Sequence, residues 1–174
     1  MKRSDINPMP VYFDRYINLV ADIDLVAAIQ QSLDDIGRFP LDKWIALGDR
    51  VYAPGKWTIK DMLQHIIDTE RIFTYRALRF ARHDSTILPG FEEDDFANAA
   101  QANARPLEDL LAELTTMRQS SLQLFASFTD EMLQRTGKAF KSDISVLAIG
   151  FTLIGHQIHH LNVLAERYYP LLVG

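Results

Sequence analysis

Four stretches of this chain repeat their apolar residues at a helical period, and each is bounded by residues that start or break helices. That pattern restricts the fold more than any other feature. An amphipathic helix must bury one stripe, and several in one chain do so by packing on each other. The first stretch, residues 21–36, places Leu25, Val26, Ile29, Leu33 and Ile36 on one face and stops at Gly37. Residues 9–20 are read as adding a short helical turn before it. The second follows Pro54-Gly55-Lys56-Trp57: Thr58 caps it, and Asp61 completes a capping box. Its stripe is Ile59, Met62, Leu63, Ile66, Phe73, Ala77 and Phe80, ending near Arg82. Residues 83–90 read as a loop closed by Pro89-Gly90, with a short helical piece over 93–100.

The third stretch opens at Pro106, which has no N–H to leave unpaired in a first turn. Leu107, Leu110, Leu111, Leu114, Met117, Leu122 and Phe125 mark its expected buried face. The fourth is capped by Ser142 or Asp143 and runs to about Tyr169, where Pro170 ends it. The expectation is an all-α four-helix bundle, one domain over residues 1–174, with no sheet beyond a short pair. The connections 38–57 and 83–105 are long enough to cross the bundle, so periodicity leaves its topology open.

Composition narrows the function classes. The chain has 174 residues, enough for a sizeable core, and a net charge of −5 with no Lys/Arg run longer than two. An acidic chain of this kind lacks the clustered cations that bind phosphate backbones, so no nucleic-acid partner is expected. Without cysteine there is no disulfide, thiolate metal site or cysteine nucleophile. The most apolar stretch, residues 144–154, is too short to cross a bilayer, and the first ten residues carry no apolar signal core. A cytoplasmic protein with no membrane partner is the expectation.

The chemistry lies in the histidines. Three of the five fall in His156-Gln157-Ile158-His159-His160. His156 and His160 are one helical turn apart on a face shared with Ile149, Leu153 and Val163, so they point inward. Two inward imidazoles need polar partners, because unpaired burial costs roughly 1–3 kcal/mol each. A metal ion satisfies both at once, whereas hydrogen-bonded core histidines are the structural alternative. His65 lies at the edge of the second helix's stripe and supplies a third imidazole, giving the candidate ligand set His65, His156 and His160. His159, about 60° round the helix from His156, could replace His160 or stand behind the ligands. His83 sits in a polar loop and receives no role. The spacing overlays the zincin pattern H-E-x-x-H, but Gln157 stands where those proteases need a glutamate base. Asp68 and Glu70, which follow His65, are the nearest candidates for a base.

The fourth helix carries a second apolar stripe, Leu147, Phe151, Ile154, Ile158, Leu161 and Ala165, almost opposite its histidines. Either another helix of the chain or a second subunit must cover it. Gly150 and Gly155 allow a close approach, and a symmetric homodimer is the expectation.

Three segments together resemble the DinB/YfiT-like superfamily. Residues 57–71, from Trp57-Thr58 through His65 to Asp68-Thr69-Glu70, resemble its W-S…H-x-x-D-x-E segment. Leu88-Pro89-Gly90-Phe91 resembles the loop that follows, and Gly155-His156-Gln157-Ile158-His159-His160 resembles its G-H-x-x-H-H. The resemblance implies a four-helix bundle of up-down-down-up order, often dimeric. It also implies a divalent metal, commonly nickel or zinc, on three histidines that map to His65, His156 and His160. Activities in the family include thiol-dependent S-transfer, an isomerase, and hydrolysis. The leading expectation is a metal-dependent S-transferase whose metal presents a low-molecular-weight thiol to an electrophile. A metal-dependent hydrolase acting through bound water is the second reading. A metal-stabilised ligand-binding or interaction module without catalysis is the third.

Overall fold

The computed structural model describes residues 1–173. In chain order its elements are α1 (Asp14–Ile17), α2 (Leu25–Ile36), α3 (Leu41–Leu47), α4 (Ile59–Ala81), α5 (Glu93–Ala100), α6 (Leu107–Ala126) and α7 (Asp130–Gln134). A hairpin of β1 (Thr136–Ala139) and β2 (Ser142–Ser145) follows, and then α8 (Val146–Val163), which continues through a π-helical turn and a 3-10 turn to Leu172.

The four long helices form the bundle, with α2, α6, α4 and α8 following one another round it. Their directions can be read from contacts along their length. Gln64 near the start of α4 accepts from Arg105, just before α6, and farther along Arg71 meets Glu113 and Glu70 meets Arg118. These two helices are therefore parallel. His65 meets His156 late in α8, while Phe80 at the far end of α4 lies against Gly137 of the hairpin leading into α8, so α4 and α8 are antiparallel. Leu25 at the start of α2 and Phe125 at the end of α6 meet over Gly150, which opposes α2 to α6. The order is up-down-down-up, the topology that periodicity alone left open.

Local chemistry explains most helix ends. Asp24 accepts from the backbone of Val26 and Ala27, Thr58 and Asp61 form the expected reciprocal capping box, and Gly37 follows α2. Three features differ from expectation: one helix cap, one connection and one buried face. The cap of α8 is Ser145, the last residue of β2, whose hydroxyl accepts from the Ala148 N–H, whereas Ser142 and Asp143 lie earlier in that strand. Residues 38–57 are not a plain connection: α3 lies there and buries Trp44, whose indole N–H donates to Tyr169 at 3.1 Å. The buried face of α6 is Leu107, Leu110, Leu114, Arg118, Ser121 and Phe125, so Arg118 and Ser121 take the inward places expected for Met117 and Leu122.

The first half of the second stripe of α8 is covered within the chain, whereas Ile158 and Leu161 are half-buried and Ala165 is exposed. Leu147, Phe151 and Ile154 pack with Ile6, Ile17, Val20 and Leu25. A Cβ on Gly155 would overlap the carbonyl of Tyr16, so only glycine lets α1 lie this close to α8. Gly150 likewise faces Leu25 and Phe125 of the same chain. Leu147, Phe151 and Ile154 therefore need no second subunit to cover them.

The core is split into two apolar clusters, one around Leu25, Phe125 and Phe151, the other around Ile36, Leu110 and Leu164. Between them runs a polar layer. Arg118 and Glu70, each 1% exposed, pair through two bonds of 2.9 Å; Ser121 donates to Glu70 at 2.6 Å, and Arg118 donates to Ser32. Breaking such a pair strands a charge in the core. Arg118→Met should lower the free energy of unfolding in urea by about 3–5 kcal/mol. The double change Arg118→Met with Glu70→Leu should restore much of that. A loss below about 1 kcal/mol in the single variant would show that the pair is not the buried contact described.

Candidate metal centre

Two helices and the segments that clamp them build the centre. His65 lies in the second turn of α4, and His156 and His160 lie one turn apart on α8. The start of α4 is fixed by the Thr58–Asp61 box, by Asn103, whose amide donates to Asp61, and by Tyr168, whose hydroxyl donates to the Trp57 carbonyl. The Trp57 ring is thereby laid against His65, with ring centres 4.6 Å apart. On the other side Tyr16, brought in by the α1–Gly155 contact, stands edge-on to His156 at 5.3 Å. The imidazoles are thus held between two aromatic walls.

The three rings converge through the same atom. His65 Nε2 lies 3.1 Å from His156 Nε2, and His160 Nε2 lies 3.0 Å from it, with all three ligand atoms within 4.8 Å of one another. Two imidazoles bound at roughly 2.0–2.1 Å to one ion, at an angle of about 95°, have this separation. Burial is the main force on their protonation. It lowers His65 to about 4 and His160 to about 3, the latter helped by His65 and His159. His156 is pushed well below its ordinary value by burial, then by His160 and His65, with Arg118 of the polar layer adding to the same direction. Neutral imidazoles aimed at one point form a donor set that fits a divalent ion.

His159 takes no part in the convergence: it is half-buried, with its ring 5.3 Å from Tyr16. His83 lies beyond α4 in the left-handed conformation and away from the centre. Asp68 and Glu70 are not placed as bases. Glu70 is locked on Arg118 and Ser121, and Asp68 accepts from Gln64 and lies beside Arg71. The carboxylate that does line the mouth is Glu93, at the start of α5. It stands beside a 200 Å³ opening over His65, His156 and His160, which also takes in Arg15. A larger cavity of 460 Å³ shares Tyr12, Tyr16, His65, Glu93 and His156 with that mouth and extends past Phe73 and Arg76 to the hairpin tip. The sequence marks short helical pieces over 9–20 and 93–100 but not the part of Tyr16 or Glu93 in the centre, because both reach it across long chain separations.

The depressed imidazoles have a consequence for metal-free protein. Their folded values lie below the unfolded value near 6.5, so their contribution is complete above pH 6.5 and is lost as pH falls toward 4 and then 3. In that window the unfolded chain takes up protons that the folded chain refuses, worth up to about 1.4 kcal/mol per pH unit and imidazole. Unfolding in urea between pH 6.5 and 4.5 should show this loss, and His65→Gln should flatten it. An unchanged slope in the variant would contradict neutral burial of His65.

Comparison with known proteins places this arrangement. The sequence profile of the DinB superfamily matches residues 27–164. A protein of Oceanobacillus iheyensis that carries the name "Putative metal-dependent hydrolase" is 27% identical over 114 residues, 64% of this chain. The match spans 65% of that relative's length. Among solved structures, YfiT from Bacillus subtilis, described as "a probable metal-dependent hydrolase with an unusual four-helix bundle topology", superposes with a TM-score of 0.69. That match covers 91% of this chain and 87% of YfiT at 16% identity, a likeness of fold. With the profile matched from α2 through the whole of α8, the chain belongs to the DinB superfamily.

Proposed function

We propose that this protein is a metal-dependent hydrolase of a small molecule, with one divalent ion, zinc or nickel, held by His65, His156 and His160. The observation that carries the reading is the meeting of three neutral imidazole nitrogens with an open, carboxylate-lined cavity. Borderline ions of this kind suit imidazole ligands, and the names of the related proteins point the same way. When bound, the ion would act as a Lewis acid and lower the pKa of water at its vacant position.

The chain's residues have separable tasks in this reading. The three imidazoles hold the ion through Nε2 and leave the cavity side free. Trp57 and Tyr16 keep the rings in place and restrict bulk water at the flanks. The Glu93 carboxylate, exposed at the mouth, would be the proton acceptor of the site. The same centre could hold a low-molecular-weight thiol instead, which is the S-transferase reading, and one assay separates the two.

Metal-loaded protein should cleave activated aryl esters or amides without added thiol, lose that activity to a chelator and regain it with zinc or nickel. Glu93→Gln should lower kcat by about 10²-fold with metal content unchanged. Turnover that appears only with a thiol and an electrophile would replace hydrolysis by S-transfer. Ligand binding without turnover under either condition would leave a binding module.

A further inference from the structure

We infer that the 460 Å³ cavity beside the histidines takes a small molecule with a carboxylate, seated on Arg76, and an apolar, ring-sized body. The inference rests on the proposed function for what happens at the histidine end; the binding does not require turnover.

Arg76 is the unusual residue in this wall. It is 6% exposed, nearly as buried as Arg118. Arg118 has the Glu70 carboxylate for its charge, whereas among the described residues no carboxylate lies within 4.0 Å of Arg76. One of its five N–H groups donates to the Pro89 carbonyl at 2.7 Å, and its guanidinium stands 5.1 Å from the Phe73 ring centre. Among the described residues its Nε and Nη1 have no acceptor, and the side chain lines the cavity. A buried cation without a counter-ion is costly, and a planar guanidinium matches a carboxylate through two parallel hydrogen bonds.

The placement gives the ligand a direction. Arg76 follows His65 by eleven residues on α4, about 16 Å along the axis and within about 20° of the same face. Both ends therefore open into one cavity. Phe73, Phe91 and Phe140 line it, so the ligand's body must be apolar. Phe140 packs over Gly90, which closes the hairpin tip onto the loop whose Pro89 carbonyl holds Arg76. Lys141, exposed at that tip, adds a second cation to the arginine end. Glu93 lines the histidine end and offsets the charge of Arg15 there, whereas Arg76 and Lys141 have no carboxylate beside them in the lining of the other end. A bound carboxylate is thus sent to Arg76, leaving the other end of the molecule toward the histidines. The volume falls within the roughly 300–1,000 Å³ of small-molecule sites.

The test is calorimetric titration with 4-phenylbutyrate and its neutral amide, 4-phenylbutyramide, on metal-loaded and metal-free protein. The acid should bind at least about tenfold tighter than the amide in both forms, about 1.4 kcal/mol. Arg76→Gln should abolish the preference with metal content unchanged. Arg76→Lys should keep a reduced preference, and it carries the test if the glutamine variant fails to fold. Equal binding of acid and amide, a preference that survives Arg76→Gln, or one that vanishes with the metal would each overturn the inference. The last result would place the carboxylate on the ion. Lack of hydrolysis with the acid preference intact would overturn the proposed reaction and leave the Arg76 site standing.

Discussion

The ion pair between Glu70 and Arg118 crosses the centre of the bundle where an apolar contact would be expected. Each side chain leaves water almost completely, so each depends on the other and on the hydroxyls of Ser32 and Ser121. Bonds of this kind have narrow geometry, and they tie α4 to α6 at one height. Parallel neighbours have no tight turn to set their register, and the pair sets it here. Arg118 also acts through space on His156 and makes a charge there more costly.

Much of this architecture is legible in the sequence. Thr58 and Asp61 mark the start of α4, Gly37 marks the end of α2, and the one-turn spacing of His156 and His160 places both on one face. Other features are short or depend on distant contacts. Helix α3 has only seven residues, too few for a period to show. The strand Thr136–Ala139 contains Gly137 and little apolar alternation, so it resembles loop until it pairs with β2. Arg118 and Ser121 do keep the spacing of the buried stripe of α6, but polar residues are discounted when a stripe is sought, and the face was expected one step away. The cover over the second face of α8 comes from residues more than a hundred positions earlier, which no local pattern reports.

The candidate site obeys the same rule as the polar layer: a group removed from water needs a partner. Glu70 and Arg118 satisfy each other. The three imidazoles turn their Nε2 atoms to one point, where a single cation would answer all of them. Arg76 looks into the cavity without a carboxylate of its own. The cavity thus has three converging imidazoles at one end and a buried cation at the other.

The central claim is that one ion is held by His65, His156 and His160 together. X-ray absorption on zinc- or nickel-loaded protein measures it directly, by counting imidazole scatterers and their distances. The account predicts one equivalent of metal with three imidazole nitrogens at about 2.0–2.2 Å. The count should fall to two, or the metal be lost, in His65→Ala, and should remain three in His159→Ala. A first shell with fewer than three imidazoles in the wild-type protein, or one that His65→Ala leaves unchanged, would contradict it.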